Sequence, residues 1–195
     1  MECVRAVREA AGPDVDLLIE VHGRLSPANA IRLAHRLEPY DIGFYEEPVP
    51  PESWKALKQV KEQVKTRICV GERLHTRFDF VPVFQNRLAD YIMPDTVWTG
   101  GISEVKKIAV MAEAYDIPIA PHVVPGGPLE LIAAAHTMST VPNFYRLEYA
   151  HHLVPVHNEM LTEPYSIENG EMVLNGKPGL GYDLDEGWLA AHAME

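Results

Sequence analysis

Ile42-Gly43-Phe44-Tyr45-Glu46 is a short apolar run that ends on a carboxylate, and it continues into Glu47-Pro48. It has the length of a buried strand. Five further runs of this kind lie on either side of it. Asp16-Leu17-Leu18-Ile19-Glu20-Val21-His22 comes before it. Arg67-Ile68-Cys69-Val70-Gly71-Glu72, Tyr91-Ile92-Met93-Pro94-Asp95, Ile117-Pro118-Ile119-Ala120-Pro121-His122 and Phe144-Tyr145-Arg146-Leu147-Glu148 follow it. Helical patterns fill the gaps between runs. Pro27 to Leu37 follows Ser26, with proline at the first helical position. Ser53 to Val64 carries Trp54, Leu57, Val60 and Val64 at helical spacing. Ile102 to Tyr115 and Leu129 to Met138 read the same way, and Glu2 to Ala10 is a helix with no strand before it.

Strands alternating with helices predict an α/β protein with a parallel sheet. The units share no sequence motif, so this is not a solenoid. What recurs is the ending. Glu20, Glu46, Glu72, Asp95, His122 and Glu148 lie at the carboxyl ends of their runs, 26, 26, 23, 27 and 26 residues apart. In a (β/α) barrel those ends share one face, and barrel active sites sit on that face. A doubly wound open sheet is the competing architecture. Its ligands gather at one switch point rather than at every strand end.

The bulk numbers fit an enzyme domain. The 195 residues suit one domain or a large piece of one, and 47% are apolar, enough for a sizeable core. The net charge of −11 argues against nucleic acid and acidic membranes, both of which demand a basic patch. No apolar run reaches membrane-spanning length, and the start at Met1-Glu2-Cys3 has no signal-peptide pattern. Cys3 and Cys69 show no metal-ligand spacing and read as reduced thiols of a cytoplasmic protein.

Three strand-end carboxylates, Glu20, Glu46 and Glu72, make a hard oxygen site suited to Mg²⁺, with Mn²⁺ close behind. Capping of neighbouring helices or pairing with Lys and Arg is the bland alternative for each. Asp95 and His122 end adjacent runs. An Asp bonded to one imidazole nitrogen fixes the tautomer and raises the basicity of the other, which makes His122 a general base. His22, two residues past Glu20, faces the same side if the strand continues, and it can serve as an acid or a second base. Glu148, held protonated, can donate to a developing oxyanion. Arg24 and Arg73, just past two of the carboxylates, are candidate substrate contacts. His151 and His152 lie at the rim.

In this order and at this spacing the residues resemble the enolase superfamily, in its mandelate racemase/muconate lactonizing enzyme-like branch, over about Val4 to Leu184. The resemblance rests on Glu20, Tyr45-Glu46-Glu47-Pro48, Gly71-Glu72-Arg73, Met93-Pro94-Asp95, Gly100-Gly101-Ile102-Ser103-Glu104, Ala120-Pro121-His122, Glu148 and Pro178-Gly179-Leu180-Gly181. Val21-His22-Gly23-Arg24 is most similar to the galactonate (acid-sugar) dehydratases of that branch. The resemblance implies that Glu20, Glu46 and Glu72 bind the metal and His122 takes the proton at C2 of an aldonic acid. The metal and Glu148 would stabilise the enediolate. His22 would assist loss of the C3 hydroxyl, giving a 2-keto-3-deoxy acid. A racemase, epimerase or cycloisomerase is the alternative within the superfamily, and an inactive fragment is the alternative outside it.

Two departures stand out. The family usually has Asp where this chain has Glu20, and the extra methylene carries the carboxylate about 1.5 Å farther. The resemblance also implies a partial TIM-type barrel: the third to eighth strands of a (β/α)7β barrel, without the first two strands and the N-terminal capping domain. Residues 1–195 would then be one incomplete C-terminal barrel domain, with βα units over 1–154 and a return segment over 155–195. Two more units of about 25 residues would reach the usual barrel size of about 250. Open strand edges predict a homo-oligomer. The expected partner is a small acid sugar.

Overall fold

The computed structural model describes residues 1–123 and 126–193. Helix α1 (Glu2–Ala11) leads into strand β1 (Leu17–Glu20), helix α2 (Pro27–Leu37), a single 3-10 turn (Glu38–Tyr40) and strand β2 (Ile42–Glu46). Helix α3 (Trp54–Lys61), strand β3 (Ile68–Val70), helix α4 (Thr76–Gln85) and strand β4 (Tyr91–Ile92) follow. Next come a short helix α5 (Thr96–Thr99), helix α6 (Ile102–Glu113) and helix α7 (Gly127–Met138). The chain closes with a 3-10 turn (His151–Leu153), helix α8 (Val154–Glu159), a hairpin of β5 (Ser166–Glu168) and β6 (Glu171–Val173), and helix α9 (Glu186–His192).

The sheet is parallel in the order β1-β2-β3-β4. Parallel bridges Ile92–Ile119 and Ile119–Phe144 extend it. All six expected runs therefore lie side by side in sequence order, as in part of a barrel. The last two are not regular strands. Pro118 and Pro121 have no N–H to give the ladder, so among the described residues the fifth run donates to it through Ile119 N–H to the Asn143 carbonyl and Ala120 N–H to the Ile92 carbonyl, at 2.9 and 2.8 Å, and accepts the Ile92 N–H on the Pro118 carbonyl at 3.1 Å. The sixth run donates Tyr145 N–H to the Ile119 carbonyl at 2.8 Å and Glu148 N–H to the Pro121 carbonyl at 3.4 Å. The two ends of the array meet through side chains: Tyr145 Oη lies 3.3 Å and Arg146 Nη2 2.5 Å from Asp16 Oδ2.

Period-two alternation sorts the side chains. Tyr45, Ile68, Val70 and Ile92 point outward into a core shared with Ala34 and Leu37 of α2, Val60 of α3, Phe80 and Phe84 of α4, and Ile108 of α6. Phe44, Cys69 and Met93 fill the inside of the curve with Tyr91 and Tyr145. Helix α7 supports a smaller core in which Leu131 and Ile132 meet Leu161 and Tyr165 of the return segment.

Several boundaries move. Ser53 caps α3 by accepting the Ala56 N–H at 3.2 Å, but the helix ends at Lys61 rather than Val64. Ser26 sits at the N-terminus of α2 without a side-chain capping bond. Helix α7 starts two residues earlier than its apolar pattern, because Pro128 fits the first turn. Strand β1 ends at Glu20, so His22 is not on a strand. It lies in a turn with φ 50°.

Candidate active site

The six run endings do share one mouth. Glu20 and Glu46 are directly in register on β1 and β2. Glu72 follows β3 through Gly71, whose φ of 143° suits glycine. One carboxylate oxygen from each of these three residues lies within 4.8 Å of the other two. The longer side chain of Glu20 therefore still reaches the cluster. Glu46 and Glu72 are buried and Glu20 is exposed.

Three carboxylates this close resist full ionisation without a cation. Burial above all, with the charges of Glu20, Glu148 and Glu72, pushes the Glu46 carboxyl up. Burial also raises Glu20. Glu72 Oε1 is buried and, although His22 Nδ1 lies 2.8 Å away, it makes no well-aligned hydrogen bond among the described residues. An all-oxygen, anionic, partly unsatisfied cluster fits a hard divalent cation such as Mg²⁺ or Mn²⁺.

Two histidines flank Glu72. His122 Nε2 is 3.3 Å from Glu72 Oε2, and His22 Nδ1 is 2.8 Å from Glu72 Oε1. His22 reaches the mouth because its left-handed turn folds it back, not by strand alternation. His122 Nδ1 is hydrogen-bonded to Asp95 Oδ2 at 2.8 Å. Asp95 is fully buried, and its other oxygen accepts the Val97 and Trp98 N–H groups at the start of α5, both at 2.8 Å. Burial alone would raise Asp95, but the bonds from His122 and the Trp98 N–H hold it down as a carboxylate. Burial works against a charged His122 too. Here the Asp95 hydrogen bond and the charges of Glu148, Glu72 and Asp95 win, so His122 is more basic than an ordinary histidine. Its second nitrogen, Nε2, faces the carboxylates and is available as a base. Glu148 is half-exposed, accepts the Val123 N–H at 3.1 Å, and lies 3.9 Å from His122 Nε2.

The two arginines part company. Arg24 is exposed at the turn after β1, whereas the Arg73 guanidinium is bound to Glu47 at 2.6 Å. His151 and His152 are exposed beyond the last run.

One group at the site is absent from the set of run endings. Glu130, on α7, is buried, and neither of its oxygens has a hydrogen-bond partner among the described residues. Burial first and the neighbouring Asp95 next push its carboxyl up to about 7. Its sequence signal is a single charge inside Pro128-Leu129-Glu130-Leu131-Ile132, on a helix otherwise apolar on most sides. A cleft of about 690 Å³ between α7, Phe144 and the hairpin is mainly apolar and holds none of these groups.

The Enolase C-terminal domain-like family model matches residues 1–188. The D-xylonate dehydratase of Haloferax volcanii is 36% identical over the whole of this chain, which covers 47% of that protein. The D-gluconate/D-galactonate dehydratase of Picrophilus torridus is 36% identical over 95% of this chain and 47% of its own length. The crystal structure of a mandelate racemase/muconate lactonizing enzyme-like protein from Rubrobacter xylanophilus superposes with a TM-score of 0.92 at 42% identity. It covers 98% of this chain, which covers 49% of it. The chain thus spans about half the length of the curated relatives it matches.

Proposed function

We propose that this chain, which belongs to the enolase C-terminal domain-like family, carries the proton-abstraction half of a dehydratase that turns an aldonic acid into a 2-keto-3-deoxy acid. The observation that carries this reading is the meeting of two sets at one mouth. The Glu20, Glu46 and Glu72 carboxylates lie within 4.8 Å of one another, and a histidine made basic by Asp95 stands 3.3 Å from Glu72. The names of the dehydratase relatives point the same way.

Glu20, Glu46 and Glu72 would hold Mg²⁺ or Mn²⁺. The bound cation would supply the positive charge that makes a carbon acid beside a carboxylate reactive near neutral pH. His122 Nε2 is the base for the α-proton, with Asp95 fixing the tautomer and stabilising the imidazolium that forms. Glu148 borders the same space and is assigned a hydrogen bond to the developing enediolate oxygen. His22, across Glu72 from His122, is assigned protonation of the leaving hydroxyl. Arg24, exposed at the turn after β1, is assigned the contact to a substrate carboxylate or hydroxyl.

The test is a panel of aldonates with Mg²⁺, scored for 2-keto-3-deoxy product. His122→Asn is expected to lower turnover by about 10²–10⁴-fold. Full activity in that variant would overturn the assignment. The placing of a histidine on each side of Glu72 also suits a racemase or epimerase, in which two bases serve opposite faces of one carbon. Exchange of the α-proton with solvent, without dehydration of any aldonate, would favour that second reading.

A further inference from the structure

Glu47 stands next to Glu46 in sequence but does not join the carboxylate cluster. Its φ of 43° turns the chain, and its side chain is 1% exposed. Its bonds reach in two directions. Its carbonyl accepts the Gly23 N–H at 2.7 Å, which ties it to the turn after β1. Its carboxylate accepts the Gly71 N–H at 3.1 Å and Arg73 Nε and Nη2 at 3.2 and 2.6 Å, which ties it to the turn after β3. Arg73 Nε is also 3.6 Å from Glu72 Oε1. The guanidinium passes directly over Gly23, where a Cβ would lie 2.0 Å from Nη2.

Each turn joined in this way adjoins one of the clustered carboxylates. Gly23 follows Glu20 by three residues, Glu47 follows Glu46, and Gly71 and Arg73 bracket Glu72. An ion pair with one partner buried and the other partly exposed is a poor source of net stability, because desolvation cancels much of the attraction. Its forked hydrogen bonds do fix geometry. Cation sites depend on such outer partners to hold the ligands at the right spacing.

We propose that the Glu47–Arg73 pair is a brace that sets the spacing of Glu20, Glu46 and Glu72 for a divalent cation while touching neither cation nor substrate. This gives Arg73 a positioning role in place of a substrate contact. The proposal rests on the reading of the three carboxylates as a cation site.

The test is titration of the full chain with Mn²⁺ alone, with free Mn²⁺ followed by electron paramagnetic resonance and folding checked by thermal melting. Glu46→Gln is the control for the site itself. If the unsubstituted chain binds no Mn²⁺, or if Glu46→Gln binds it equally well, the cation reading fails and the brace falls with it. If the control weakens binding, the variants of the pair decide the brace alone. Arg73→Met removes a positive charge near the site. Simple electrostatics predicts tighter Mn²⁺ binding, and the brace predicts weaker binding by about 10- to 100-fold. The double variant Glu47→Leu/Arg73→Met leaves net charge unchanged and replaces the pair with apolar groups, so it is expected to melt at or above the unsubstituted temperature while binding Mn²⁺ weakly. Arg73→Lys keeps the charge but loses the fork, is expected to weaken binding, and serves if the double variant does not fold. Unchanged or tighter binding in a folded variant of the pair overturns the brace.

Discussion

Gly23 and Glu130 make opposite demands on the chain around the site. Gly23 lies at φ 62° with the Arg73 guanidinium across its face, so any side chain there meets both backbone strain and a clash. Gly23→Ala is expected to cost about 1–3 kcal/mol, read from urea unfolding; a cost near zero would mean that Arg73 moves aside freely. Glu130 carries the opposite problem, a buried acid with no hydrogen-bond partner among the described residues. Its carboxyl moves from the ordinary 4.5 to about 7 in the fold. The folded state therefore binds the proton more tightly than the unfolded chain. The resulting stabilisation is complete below about pH 4.5 and is lost as the pH rises through about 7. Glu130→Gln, which does not titrate, should flatten that fall. Urea midpoints across the interval test this, and a slope equal to that of the unsubstituted chain would exclude Glu130 as its source.

The strands and helices differ in how plainly the sequence announces them. The six runs and their ionisable ends are readable because burial forces apolar residues into short blocks, and the mouth needs polar groups at one end of each block. Helix α2 is readable to the residue, since Pro27 and the apolar spacing agree. Helix α4 is not: Thr76–Gln85 is apolar on several sides and contains Pro82, so neither period nor breaker signals point to a helix. The hairpin β5–β6 turns at Asn169-Gly170, both at positive φ, which is a hairpin signature. Its strands are three residues each and mostly exposed, so they leave no hydrophobic pattern. At the site, Asp95 and His122 are paired by their spacing alone. Glu47, Glu130 and the left-handed turn at His22 depend on packing between units, which no local pattern encodes. Helix α3 offers a check on local encoding. Ser53→Ala removes the cap on the Ala56 N–H and should cost about 1 kcal/mol. Urea unfolding measures this, and no change would mean that water replaces the cap.

The molecule as a whole is a row of βα units, each paired with its neighbour about 25 residues away, from β1–β2 to Ile119–Phe144. Among its described residues no helix is long and apolar enough to cross a membrane. The two ends of the row are joined by hydrogen bonds from Tyr145 and Arg146 to Asp16, 129 and 130 residues apart. That separation has a kinetic consequence. Contacts between neighbouring units close short loops and can form early, whereas a contact across some 130 residues waits until the units between are in place. The Asp16 seam therefore belongs to the far side of the folding barrier. Asp16→Ala should leave the refolding rate unchanged and speed unfolding by up to about fivefold, since an exposed pair contributes at most about 1 kcal/mol. Stopped-flow refolding and unfolding in urea separate the two limbs, and a slowed refolding limb would put the seam in the nucleus instead. A row that zips from unit to unit and latches last opens first at the latch, so brief excursions of the native protein should begin where Asp16 lets go of Arg146.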